Sequence, residues 1–295
     1  MTSINGSVTG RLWPEVRRRT ELALQSGALQ PIPTEYEFVE NGGVEFLVRT
    51  VSNLARKDRA PKKTTAAANR KASPFIDYDP TLHVADITPD HVCLLNKYNV
   101  VDRHVLIVTR EFEHQREPLS ERDFEALWAC LSQGKALAFY NGGTIAGASQ
   151  AHKHLQLVPL PLASRGPAVP IETLMDRTAL AAGVGQSKSL PFAHAIAGLP
   201  ADVTRCPSTA ARHSLDLYRQ MLTAAGVADA TGHPSPYNLL VTQRWMLLVP
   251  RTREHFGPIS LNALAFAGAF LVRNRQQIDL LKREGPMQAL IHTST

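Results

Sequence analysis

The sequence predicts an α+β fold: a largely antiparallel sheet flanked by helices, with an extra side segment. Three observations carry this. Two pairs of apolar runs fall in hairpin order, helical periodicity is confined to separate stretches, and no internal repeat at a solenoid period interrupts them.

In chain order, Trp13 to Ser26 has helical periodicity and Val44 to Val51 reads as a strand. Arg56 to Lys71 then holds seven Lys or Arg against one Asp, with little that can be buried. It reads as a linker or loop, either a solvated charge run or an arm that closes on phosphates. Ser73 to Pro80 is turn-rich, and strands follow at His91 to Lys97 and His104 to Arg110. Ser120 with Asp123 three residues on is a variant capping box, opening a helix whose Phe124, Leu127, Trp128 and Leu131 share a face, predicted to run to about Tyr140. Asn141-Gly142-Gly143 breaks it, and Lys153 to Leu160 is a strand. Ala163 to Pro207, rich in Ala, Gly, Pro and Ser, reads as a side element with weak helical segments. A helix at about Arg212 to Ala225, a hairpin of Asn238 to Gln243 with Trp245 to Val249, and a helix from about Leu261 to Glu284 complete the chain.

The 295 residues, 44% of them apolar, suit a real core and argue against general disorder. Cys93, Cys130 and Cys206 are odd in number and widely spaced, which suggests neither a disulfide framework nor a thiolate zinc site. Neither a signal-peptide stretch nor a bilayer-length apolar run is present, so the expectation is a cytoplasmic protein with no membrane partner. A net charge of +6 suits polyanionic ligands, nucleotides and nucleic acids alike.

The run Gly147-Ala-Ser-Gln-Ala-His-Lys-His-Leu-Gln156 carries the chemistry. Strand alternation sends His152, His154, Gln156 and Val158 to one face and Lys153, Leu155 and Leu157 to the other. Gly142, Gly143 and Gly147 allow close backbone approach, and Ser149 and Gln150 add donors, so an anion cradle adjoins two imidazoles. Such an arrangement suits displacement at phosphorus: a neutral imidazole attacks an α-phosphate and a second acceptor cleaves the phosphoramidate. His154 is the candidate nucleophile, with His152 or a backbone carbonyl holding its other ring N–H. Gln156 can bond a non-bridging oxygen but cannot shuttle a proton, which favours transfer between phosphates. A wet strand face or a zinc pair is the plain alternative for two histidines, and no nearby Cys or carboxylate completes a metal set.

These residues resemble the histidine-triad superfamily motif in its His-x-His-x-Gln form, which marks the nucleotidyltransferase branch. With Gly147-Ala-Ser-Gln150, Leu94-Leu-Asn-Lys-Tyr98, His104 to His114 and Tyr237 to Arg251, the similarity is to the ATP adenylyltransferase (diadenosine tetraphosphate phosphorylase) family and spans most of the chain. The resemblance implies a single histidine-triad-like adenylyltransferase domain over 1–295: an N-terminal segment with basic linker (1–72), a motif-bearing core (73–162), a side segment (163–211) and a C-terminal hairpin and helix (212–295). It implies reversible phosphorolysis of diadenosine tetraphosphate to ATP and ADP through an adenylylated His154, with phosphate, or ADP in the general family scheme, as acceptor. It places Asn96 at the ribose; Asn141, Gly147, Ala148, Ser149, Gln150 and Gln156 at phosphate; and Lys57 at the distal phosphates. Lys97, Asn238 and Arg251 are further substrate candidates, although Lys97 also fits a solvated charge, and Tyr237, Asn238 and Arg251 also fit a brace of the second hairpin. Where the family commonly has Asn-Pro-Phe, this chain has Ser73-Pro74-Phe75, which questions any contact made by that asparagine.

The expected partners are small molecules (diadenosine polyphosphates, ATP, ADP and phosphate) and no nucleic acid. Mg²⁺ or another divalent cation accompanies the polyphosphate, with neither an organic cofactor nor a protein metal cage. Two rivals remain. Hexose-1-phosphate uridylyltransferases share the motif but usually carry Pro where Lys153 stands, and a non-enzymatic nucleotide or RNA binder would draw on the basic run, which lacks interleaved aromatics.

Overall fold

Caps and turns set the element boundaries in the computed structural model, which describes residues 10–51, 73–175, 180–181, 183–228 and 233–294. The first half runs α1 (Leu12–Gln25), β1 (Thr34–Asn41), β2 (Val44–Val51), β3 (His83–Thr88), β4 (His91–Leu95), β5 (Val105–Thr109), α2 (Glu121–Leu131), β6 (Ala136–Gly142) and β7 (His154–Pro159). The second runs β8 (Val184–Gly185), β9 (Ala195–Gly198), α3 (Ala201–Thr204), α4 (Pro207–Ala224), β10 (Tyr237–Val241), β11 (Trp245–Pro250), β12 (His255–Phe256), β13 (Ile259–Ser260), α5 (Ala263–Phe266), β14 (Ala269–Val272), α6 (Arg275–Glu284) and α7 (Pro286–Ser294). The basic run and Lys57 lie outside the described residues. Among those described, no helix is long and apolar enough to cross a membrane.

Nine strands form one antiparallel sheet in the order β3-β4-β5-β7-β6-β10-β11-β9-β8. On one face, residues of α1, α2 and α4 share a core with Leu155, Leu157 and the alternate residues of the neighbouring strands. On the other, a three-stranded sheet, β1-β2-β14, packs with the C-terminal helices against Phe139, Val158, Leu240 and Leu247. Further along that second face, Val92, Leu94, Leu106 and Val108 form a small separate cluster under Phe75 and Tyr78. The α+β architecture and its antiparallel sheet are therefore as the hairpin order of the sequence predicted.

Three expectations need correction. The Ser120 helix does have its capping box but stops at Leu131, and 136–142 is the strand β6. Every residue of β6 is buried between β7 and β10, so the run has no alternation to separate it from a buried helix. The long C-terminal helix is instead α5, β14 and α6. Gly268 (φ 92°) passes so close to Pro170 that a Cβ would sit 2.6 Å from its ring, and β14 then pairs parallel with β2. The side segment supplies β8 and β9, which extend the main sheet beyond β11. Strands β1 and β3, half-exposed and mixed in composition, gave no sequence signal.

Candidate active site

His154 opens β7, and its side chain shares a face with Gln156 and Val158, as alternation predicted. The register pairs His154 with Val108 and Gln156 with Leu106, which puts both beside the small apolar cluster. The ring is 4% exposed, and its Nδ1 lies 2.8 Å from the backbone carbonyl of His152. A carbonyl only accepts, so Nδ1 carries the proton and the Nε2 lone pair is left for chemistry. Burial, with a further push from His152, lowers the pKa to about 4 against the opposing pull of that hydrogen bond. The imidazole is thus neutral at pH 7.

The His152 ring faces elsewhere. Its Nε2 donates to the carbonyl of Thr109 at 2.8 Å, and its Nδ1 accepts from the Ser73 hydroxyl at 2.7 Å. The two histidines are therefore opposite tautomers, and His152 supports His154 through its backbone. Ser73, where the family commonly has Asn, makes a buried contact on the motif itself. Its hydroxyl also accepts from the Phe75 N–H at 3.2 Å. That turn lays the Phe75 ring 5.1 Å from the His154 ring and 5.9 Å from the His152 ring. Gln156 is half-exposed, and no described residue engages its side-chain amide.

Asn96 follows β4 on the face that carries Val92 and Leu94, and its N–H bonds the carbonyl of His104, continuing the β4–β5 ladder. The half-buried amide lies 3.1 Å from His104 Nδ1 and stands along the wall from Gln156. Lys97 is exposed, its ammonium 5.5 Å from the Tyr98 ring centroid, and faces solvent rather than the His154 wall.

The glycine loop is narrower as an anion cradle than the sequence suggested. Gly147 (φ 89°) is required because a Cβ would meet the Leu261 carbonyl at 2.7 Å. The N–H groups of Gly147 and Ala148 bond Thr144 and Gly143 carbonyls at 2.8 and 3.1 Å and close the turn. Ser149 and Gln150 are exposed, and no described residue takes their N–H groups. Behind the loop lies a buried brace. Asn141 Oδ1 accepts from Asn238 Nδ2 at 2.8 Å and from the Ala263 N–H at 3.0 Å. Asn238 Nδ2 also bonds the Ala146 carbonyl at 2.8 Å, and its Oδ1 accepts from Arg251. Arg251, 3% exposed, spreads its other donors over the carbonyls of Leu261, Thr293, Arg253 and Glu254. Burial lowers its pKa to about 10, so it remains a cation. With their polar atoms engaged internally, Asn238 and Arg251 shape the loop rather than face its solvent side. Asn141 stands at the junction of brace and loop.

Two residues at the motif escaped the sequence reading. Gln115, 1% exposed, accepts from the His154 N–H at 2.8 Å and donates to the carbonyls of His154 at 3.1 Å and Asn141 at 3.0 Å. It sits in a segment without periodicity, so its role follows only from long-range packing. On the opposite face of the strand, Lys153 bonds Asp123 Oδ2 at 2.8 Å, Glu113 Oε2 at 2.9 Å and the Pro118 carbonyl at 3.0 Å. Asp123 also accepts from His91 Nε2 at 3.0 Å. Burial opposes its ionisation, but His91 and Lys153 hold its pKa at about 2. The signal for Lys153 was available: a lysine on the apolar side of a central strand must find a buried partner.

Comparison with known proteins places this geometry. The model of the Ap4A phosphorylase N-terminal domain matches residues 3–177, and that of the ATP adenylyltransferase C-terminal domain matches 188–294. Diadenosine 5′,5‴-P1,P4-tetraphosphate phosphorylase 2 of Saccharomyces cerevisiae is 27% identical over 271 residues, covering 81% of this chain and 80% of the yeast protein. The crystal structure of yeast Ap4A phosphorylase Apa2 matches at 25% identity with a TM-score of 0.77, covering all of this chain and 95% of that one. Its complex with Ap4A has the same TM-score at 22% identity, covering 100% and 98%. The chain belongs to the Ap4A phosphorylase family.

Proposed function

We propose that this chain phosphorolyses diadenosine tetraphosphate to ATP and ADP, acting as an ATP adenylyltransferase through His154. Family membership gives the reaction. The observation that carries the mechanism is the tautomer: a buried, neutral imidazole with its proton fixed at Nδ1 and its lone pair at Nε2. Nε2 attacks one α-phosphorus, the bond to the bridging oxygen breaks, and ATP leaves. Phosphate then attacks the AMP–His154 adduct, giving ADP and freeing the ring. Charge that builds on the imidazole during the attack is met by the His152 carbonyl. The polyphosphate leaving group needs no proton, which suits Gln156 as an amide on the non-bridging oxygens. Asn96 holds the ribose, and Ser149 and Gln150 offer backbone donors to phosphate.

Among the described residues, no three His, Cys, Asp or Glu side chains gather as a cation site. In this reading a divalent cation such as Mg²⁺ accompanies the substrate and screens the polyphosphate. The free thiols Cys93, Cys130 and Cys206 suit a reducing, cytoplasmic setting. The test is incubation with diadenosine tetraphosphate and Mg²⁺, with and without phosphate, followed by nucleotide chromatography and intact-protein mass. Phosphate-dependent ATP plus ADP, with an acid-labile AMP adduct missing from His154→Ala, is the expected result. Turnover by His154→Ala would refute the mechanism.

A further inference from the structure

The ladder between β6 and β7 stops two pairs short of His154. Its last register pair is Phe139 with Gln156, and continuing it would set Asn141 opposite His154. That pair does not form. In an antiparallel strand, one residue's N–H and C=O point to the same neighbour, so those of His154 face β6, where the register pair is missing. The primary amide of Gln115 fills the gap. Its Oε1 takes the His154 N–H, and its two N–H bonds reach the carbonyls of His154 and Asn141. Its neighbours continue the same strap: Glu113 O accepts from the Lys153 N–H at 2.8 Å, and the Gln115 N–H donates to Ala151 O at 2.7 Å.

We infer that Gln115 is a positioning residue for the reaction: its side-chain amide, standing in for a missing piece of β6, holds both peptide groups of His154 so that Nε2 stays aimed at the α-phosphorus. The amide touches the backbone of the nucleophile, accepting its N–H and donating to its C=O. The inserted side chain also lets β6 part from β7 while it stays paired with β10 through Gly142 and then turns into the glycine loop, so nucleophile and loop are set by one group. Without it, the buried N–H and C=O of His154 lose this partner, the Asn141 carbonyl keeps the Gly143 N–H, and β7 is free to shift at its first residue. A displacement of about 1 Å at a reacting atom costs on the order of 100-fold in rate.

The inference rests on His154 as nucleophile, and the experiment separates the two. Gln115→Ala and Gln115→Glu, the latter keeping length and acceptor but losing the paired N–H donors, are mixed with diadenosine tetraphosphate without phosphate. The rate of AMP adduct formation is read by quench and intact mass. Affinity for diadenosine tetraphosphate is measured in the His154→Ala background, with and without Gln115→Ala. Adduct formation should slow about tenfold or more in Gln115→Ala, affinity should change less than threefold, and the acid limb of the kcat/KM profile should move upward as water reaches the ring. Adduct rates within threefold of wild type, or a rate loss matched by an equal loss of affinity, would overturn the assignment. If Gln115→Ala does not fold, Gln115→Glu is held to the same criteria. Turnover by His154→Ala alone would instead remove the nucleophile, and the positioning role with it.

Discussion

Lys153→Met removes the cation from a site where it cannot easily be replaced. Lys153 and Asp123 are each about 1% exposed at the side chain, and the ammonium lies 2.8 Å from the carboxylate. Methionine preserves the stem but leaves Asp123 with His91 and the Ser120 N–H and hydroxyl. Removing one partner of a buried pair costs about 3–5 kcal/mol. With an unfolding entropy of roughly 2.1 cal/mol/K per residue, the chain's 295 residues give about 0.6 kcal/mol/K, so Tm should fall by about 5–8 °C. The sign of the pH effect follows from the depressed Asp123 pKa of about 2. Its stabilisation is fully present above the unfolded value of about 3.9 and is lost as pH falls from there towards 2. Without Lys153 the folded pKa rises, so the acid side of the Tm profile should flatten between about pH 4 and 2 as that loss shrinks. Calorimetry at pH 7 and along an acid series reads both effects. A Tm within 2 °C of wild type at pH 7 would show that Asp123 does not depend on Lys153 and refute the reasoning.

Because burial holds the His154 pKa at about 4, kcat/KM for diadenosine tetraphosphate should stay flat from pH 8 to pH 5 and fall only near 4. An acid limb near 6.5, read from initial rates, would mean an exposed ring. Ser73→Ala leaves His152 Nδ1 buried without its donor, at a cost of about 1–3 kcal/mol, and should lower kcat several-fold. Ser73→Asn, which restores a polar side chain of the family's usual type, should recover most of that kcat. Gly147→Ala places a Cβ 2.7 Å from the Leu261 carbonyl at φ 89°. It should raise KM for diadenosine tetraphosphate about tenfold or more in steady-state assays, because the loop must move off its brace.

What the sequence disclosed depended on the range of the interaction. His154, its face and the facing Gln156 follow from alternation within one strand, a property of neighbours two apart. Ser120 and Asp123 announced a helix start because capping is local. Asn238 and Arg251 were recognisable as polar residues close to a hairpin, but their direction was not. Only the fold shows that Arg251 spends its donors on six partners, from the Ala146 carbonyl in the glycine loop to the last helix. Gln115 was invisible for the same reason: its partners are 26 and 39 positions away, and no periodicity marks a side chain that acts as a piece of strand. Strand β6 was lost to the helix before it because burial on both faces erases the period that separates the two.

On the proposed mechanism, with His154 as nucleophile, the two faces of β7 answer opposite requirements of one reaction. A nitrogen nucleophile must be neutral, which a dry setting enforces, yet it becomes cationic as the bond to phosphorus forms. The front face keeps the ring dry under Phe75 and places the His152 carbonyl on Nδ1–H, so the developing charge meets a fixed dipole and no proton has to move. The dipole works only while the peptide that bears it stays in place. The back face provides that restraint, since Lys153 ties the intervening residue of the strand to Glu113, Asp123 and the Pro118 carbonyl. Proline at this position would stiffen the backbone by its ring and lose the tie. This chain fixes the same peptide by a buried charge. Its catalytic geometry should therefore weaken at acid pH where Asp123 takes up a proton, below the point at which His154 itself is protonated.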